Sequence, residues 1–414
     1  MNLANVIDGA LNDRAIVFGS LPPHGRDLDL LVRDHSLRAV TTALEKRGAT
    51  NSGEEWALFT GCKVQSADVV PASDWRLTPG ALAALFEDSL PLQKFNHIRK
   101  PAPRHVLLIL ARRRAFDEGS LRDKHKARIQ QALLDDKAGW ASARSEAESW
   151  RAIAALECLH REYQGRTPPD RLRARARGEI LERSSARGWI SLVPHPRRGT
   201  VVALSGLDGS GKTTQATHLH ATLEQLGIEA VVEETRITAI PSFNDVTAPA
   251  KRPLAADEQS REPSGAVRQE PHEPRRANPL VDYVASCIVA IKDGMAHRRA
   301  TARHLRNARV VICDGYALDS IVRLRALFGH ASRFRLQTAI IKGLSPTPAA
   351  AYWLEVPSET SVARNADRYT AEDLRARSAV YRQLLEQLSV TRLDGTASVD
   401  ALCELIARDC WPRL

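Results

Sequence analysis

The spacing of apolar positions changes several times along the chain, and each change predicts an element. Residues 15–18 and 27–32 read as two short strands joined by a Pro/Gly turn, and residues 64–71 as a further apolar strand that stops at Pro71. From 101 to 195 the pattern is helical and highly charged. Val106 to Leu110 give it an apolar centre, and heptad-like segments follow around Trp150 and Leu156. Residues 194–199, two prolines and a glycine among basic residues, predict a domain boundary. Residues 200–205 are an apolar run, and Thr214, Ala216, Leu219, Leu223 and Leu226 then recur at helical spacing. Strand patterns return at 229–233, 308–314, 351–357 and 390–394, with helical ones from Leu280 through Tyr283, Ile288, Ile291 and Met295, and at 359–364. Residues 241–278 are rich in Pro, Glu, Arg and Ser with few large apolar side chains, which predicts a disordered insertion. The expected class is α/β. A parallel sheet with helices on both faces fills 196–414, preceded by a small α+β domain over 1–100 and a helical segment over 101–195 associated with it.

Chemistry enters where the run at 200–205 ends. Residues 206–214 read GLDGSGKTT, a complete G-x-x-x-x-G-K-[ST] loop lying between a strand pattern and a helix pattern. Its glycines let successive N–H groups turn toward a phosphate, Lys212 adds a cation at the β/γ oxygens, and the Thr213 hydroxyl is the expected Mg²⁺ ligand. Gly206, Asp208, Gly209, Ser210, Gly211, Lys212, Thr213 and Thr214 are therefore the candidate ATP-holding residues. The strand at 308–314 ends in Asp314, at the edge where ligands of such sheets bind.

The first domain has its own carboxylates. Asp27 and Asp29 alternate with Leu28 and Leu30, so period two puts both acids on one face, close enough to share a divalent cation. Asp68 lies on the next apolar strand, and three carboxylates on adjacent strands would make an oxygen-rich site of the kind Mg²⁺ prefers.

Composition narrows the field. The 414 residues carry a formal charge of +10, with Arg far outnumbering Lys, which fits anionic phosphate ligands or a bias toward Arg. Only 5% of residues are aromatic and no basic run is interleaved with them, which argues against a nucleic-acid partner. The six cysteines lack C-x-x-C spacing and read as reduced thiols with no zinc site. No stretch reaches the length of a membrane span and residues 1–15 carry acids without a long apolar core, so a soluble cytoplasmic protein is expected.

Over residues 1–100 the order Gly19-Ser20, then Asp27-x-Asp29, then Asp68 resembles the nucleotidyltransferase superfamily that includes polymerase β. The resemblance implies that Gly19 and Ser20 hold the triphosphate, Asp27 and Asp29 bind metal, and Asp68 activates the acceptor hydroxyl. Over 198–414 the chain resembles thymidylate kinase, on GLDGSGKTTQ at 206–215, VVICDGY at 310–316, YWLEVPSE at 352–359 and ARNADRYTAEDLRARSAVY at 363–381. That resemblance implies ATP and Mg²⁺ at Lys212 and Thr213, with Asp208 meeting the acceptor sugar's 3′-hydroxyl. It further implies Asp314 beside the metal, charge-neutralising Arg364 and Arg368 on a lid, and a homodimer. The acceptor side departs from the family. Gly315 stands where an arginine usually clamps the acceptor phosphate, residues 235–241 replace the Arg-Glu-Pro-Gly-Gly segment with only Arg236 as a stand-in, and the helix from Leu280 lacks the usual Asp-Arg pair. The leading expectation is ATP-dependent phosphoryl transfer to a nucleoside monophosphate, dTMP first, with an appended nucleotidyltransferase. The competing readings are a tailoring enzyme that acts on another small molecule or peptide, and a nucleotide-sensing scaffold.

Overall fold

The computed structural model describes residues 3–19, 27–53, 55–117, 119–181, 199–234, 279–307, 310–328, 334–364, 370–385 and 388–414. Ser20, Arg236, Arg368 and the expected insertion at 241–278 lie outside them. The chain divides into two compact units, the first holding Met1–Arg197 with Gln225–Gly227 and the second Arg198–Glu224 with Ile228–Leu414.

The first unit is built on a mixed sheet of strands β1 (Ala15–Val17), β2 (Asp27–Val32), β3 (Thr50–Ser52), β4 (Glu55–Thr60), β5 (Lys63–Pro71), β6 (Leu90–Pro91) and β7 (Ile98–Lys100), in the order β3-β4-β5-β2-β1-β7-β6. The β2–β5 pair is parallel and sets Asp29 level with Asp68 and Asp27 level with Ser66, whereas β4 runs antiparallel to β5 and sets Glu55 level with Asp68. Residues level with one another share a face, so the register lines up acids from β2, β5 and β4.

The charged segment after residue 100 is not a separate layer. Helices Pro103–Arg114, Asp123–Asp135, Gly139–Glu146, Ile153–Tyr163 and Asp170–Leu181 follow one another. Leu107, Leu108 and Ile109 of the first of these pack in one apolar cluster with Ile16, Phe18, Leu31 and Val70 of the sheet side. The arginines at its end are drawn inward. Arg112 donates from Nη2 to the Trp75 carbonyl at 2.9 Å and also bonds the Trp150 carbonyl, and Arg114 pairs with Glu162 at 2.6 Å. Arg112 and Arg114 are thus part of the core, because both guanidiniums find oxygens there.

The second unit has five parallel strands, β8 (Thr200–Gly206), β9 (Ala230–Glu234), β10 (Val310–Asp314), β11 (Ala350–Glu355) and β12 (Thr391–Asp394), in the order β12-β11-β8-β10-β9. The chain fills one side of β8 and then crosses to the other, so the order reverses at β8. In such sheets the crevice beyond the carboxyl ends opens at that reversal. All five residues of β10 are buried and so are six of the seven in β8, as expected for strands covered on both faces.

Candidate functional site

At the reversal β8 runs into the glycine loop and then into helix Lys212–Gln225. The loop turns through Gly209 and Gly211, both left-handed at φ 81° and 92°. Lys212 folds back over it, donating from Nζ to the carbonyls of Gly206 at 2.8 Å and Leu207 at 3.0 Å, with an Asp208 carboxylate oxygen at 4.0 Å. Its charge thereby rests on neutral oxygens that a phosphate would outcompete.

Residue Asp314 ends β10 beside β8, level with Leu204. Its Oδ2 accepts a 2.5 Å hydrogen bond from the Thr213 hydroxyl. The two expected Mg²⁺-side groups, 101 positions apart in sequence, therefore meet, and a hydroxyl beside a carboxylate is the oxygen donor set that Mg²⁺ takes. Asp208, Thr213 and Thr214 are exposed, whereas Ser210 is buried with its hydroxyl unpartnered among the described residues. Helix Ser358–Arg364 closes on the same loop. The Ser361 hydroxyl bonds the Asp208 carbonyl, and Arg364 donates to the Gly209 carbonyl at 2.8 Å.

One organising residue escapes a reading by motif. Asp319, 8% exposed, accepts from the Gly206 amide at 3.0 Å, the Tyr316 amide at 2.9 Å and the Tyr381 hydroxyl at 2.7 Å. One carboxylate ties the start of the glycine loop to the turn after β10 and to helix Ala371–Leu385. Burial first, and then the Asp319 charge, push the Tyr381 hydroxyl well above its ordinary pKa, so it stays a donor. A signal existed. An acid in the first turn of helix Ala317–Phe328 reaching back to the amide just before that helix is half of a capping box. Ser361 has no comparable signal, because only tertiary packing brings it to the loop.

Gly315 follows Asp314 with φ 81° and a backbone N–H donated to the Leu204 carbonyl at 3.0 Å. A side chain there would meet open space but a strained backbone, so the departure from arginine suits the local conformation. Behind it, His297 shares a 3.0 Å hydrogen bond with Ser320 and lies 4.6 Å, ring to ring, from Tyr316. Asp293 holds Arg323 through both carboxylate oxygens, at 2.9 and 2.7 Å.

In the first unit Gly19 and Asp29 are in direct contact. A Cβ on Gly19 would fall 1.6 Å from Asp29 Oδ2, so only glycine lets this carboxylate lie across the chain after β1. Asp29 and Asp68 are half-buried, while the Asp27 side chain lies outside the described residues. Among the described residues no three His, Cys, Asp or Glu side chains gather as a metal site. Two neighbours of these acids carried no sequence signal. They are Glu55, placed by the β4–β5 register, and Arg128, on whose guanidinium the Asp29 charge acts. The chain matches no protein-family model and no curated protein.

Proposed function

We propose that residues 198–414 transfer a phosphoryl group from Mg·ATP to a nucleoside monophosphate, with dTMP the leading acceptor. The observation that carries this reading is the contact of the Thr213 hydroxyl with Asp314 at the end of a glycine loop, at the order reversal of a parallel sheet. In this reading the sheet is of the P-loop type. The loop amides and Lys212 hold the β- and γ-phosphates, and Thr213 with Asp314 holds Mg²⁺, which would neutralise the phosphate oxygens. Asp208, exposed at the loop tip, faces the acceptor, and Arg364, together with Arg368, supplies positive charge as the P–O bond to the β-phosphate breaks and that to the acceptor oxygen forms.

Gly315 favours a second reading, in which the acceptor is another small molecule or a peptide. Its left-handed backbone disfavours the arginine that would grip the phosphate of dTMP. For residues 1–197 we propose Mg²⁺-dependent nucleotidyl transfer at Asp27, Asp29 and Asp68. The test for the kinase is ATP consumption by the full chain over nucleoside monophosphates, sugars and peptides. With the best acceptor, Lys212→Ala should lower turnover about 10²- to 10³-fold. Unchanged turnover would remove the kinase reading.

A further inference from the structure

Four successive carbonyls of the glycine loop each accept a hydrogen bond from a side chain. Lys212 Nζ serves Gly206 at 2.8 Å and Leu207 at 3.0 Å, the Ser361 hydroxyl serves Asp208, and Arg364 serves Gly209 at 2.8 Å. The first two bonds come from the helix that the loop itself opens, and the last two from helix Ser358–Arg364, far along the chain. Ser361 is fully buried, and its own amide is fixed on the Pro357 carbonyl at 3.1 Å, so its hydroxyl is held against the loop.

In a trans peptide the carbonyl of one residue and the N–H of the next point opposite ways. A carbonyl turned outward therefore turns the following N–H inward, where a loop of this kind holds an anion. The glycines leave that choice open. Gly209, left-handed at φ 81°, has no side chain to fix the two peptide units that flank it, and such a unit can turn over at little cost. What fixes them is the pair of donors from helix Ser358–Arg364, with Ser361 on the unit before Gly209 and Arg364 on the unit after it. The two donors differ once a phosphate arrives. Arg364, like Lys212, is a cation and turns to the more highly charged oxygens, whereas the neutral, buried hydroxyl of Ser361 stays on its carbonyl.

We propose that Ser361 is a positioning residue of the glycine loop: by holding the Asp208 carbonyl outward in the empty and the loaded protein alike, it aims the Gly209 N–H at a bound phosphate. The role rests on the phosphate-holding loop of the proposed phosphoryl transfer, and adds to it a residue outside the G-x-x-x-x-G-K-[ST] pattern. Ser361 itself touches no phosphate.

The experiment titrates inorganic tripolyphosphate with Mg²⁺ by calorimetry into the full chain and into its Ser361→Ala and Ser361→Cys variants. Lys212→Ala, measured beside them, defines the share of binding that belongs to the loop. Ser361→Ala should weaken that binding about threefold to tenfold, the worth of one neutral hydrogen bond, and Ser361→Cys, a weaker donor of nearly the same shape, should fall between. The amide signal of Gly209 in ¹⁵N-glycine-labelled protein separates aiming from general support. Without phosphate, Ser361→Ala should shift or broaden it, as the freed peptide unit samples both orientations, and saturating tripolyphosphate should return it toward the signal of the loaded parent. The Gly206 amide, held by Asp319 at 3.0 Å, should keep its parent position in the phosphate-free variant. Loop binding of equal strength in the parent and both variants would overturn the role of Ser361 alone. So would Gly206 and Gly209 signals that move together, which would make Ser361 a structural tie. No Lys212-dependent binding to the parent would remove the proposed phosphoryl transfer and this role with it.

Discussion

Asp319 makes the sharpest prediction because three donors converge on one buried carboxylate. Hydrogen bonds to a charged group contribute about 1.5–3 kcal/mol each, and three that share an acceptor are not additive, so truncation to alanine should cost roughly 3–6 kcal/mol. Against a typical total of about 5–15 kcal/mol that endangers the fold, so the informative variants are gentler. Asp319→Asn keeps the shape and turns one acceptor end into a donor, which must then face either the Tyr316 amide or the pair formed by the Gly206 amide and the Tyr381 hydroxyl. A loss of about 1.5–3 kcal/mol follows, or exchange of the affected amide protons faster by roughly tenfold to a hundredfold. Tyr381→Phe removes one donor and leaves both amides bonded, so its effect should be smaller. Hydrogen exchange over residues 204–207 and 314–320 is the right assay, since two units need not unfold in one step. Exchange within twofold of the parent at Gly206 and Tyr316 in Asp319→Asn would refute the view that this carboxylate holds the two loops together.

The remaining predictions concern the two candidate sites and pH. Gly19→Ala must displace the Asp29 carboxylate, so Mg²⁺-dependent nucleotide binding to the Lys212→Ala protein should fall about 10²-fold, and equilibrium dialysis with labelled nucleotide that shows no change would remove Asp29 from that site. Gly315→Arg should cost about 1–2 kcal/mol from the left-handed backbone, read as a lower melting temperature, yet improve use of dTMP if a phosphate clamp is what the acceptor side lacks. Arg364→Ala should lower turnover more than it weakens ATP binding, and an equal loss of both would reduce it to a ground-state contact. Burial pulls His125 and His297 down to about 4 from an ordinary 6.5. Both are neutral in folded and unfolded chains above 6.5, and below it only the unfolded chain takes up protons. Stability should therefore be lost as pH falls from about 6.5 to about 4, and a melting temperature flat across that window would contradict their burial as neutral rings.

The sequence alone placed the glycine loop between a strand and a helix, because a buried parallel strand is a continuous apolar run and the loop's composition is dictated by backbone geometry. Local spacing also put Asp27 and Asp29 on one face, since side chains in a strand alternate by necessity. Pairing across the sheet is another matter. That Thr213 meets Asp314, and that Asp29 stands level with Asp68 and Asp68 with Glu55, depends on strand order and register, which long-range packing selects and no local pattern encodes. The arginines at 112–114 show the same division from the other side. No local pattern marks them for burial, and only the tertiary structure, by setting the Trp75 and Trp150 carbonyls and the Glu162 carboxylate within reach, lets Arg112 and Arg114 be buried.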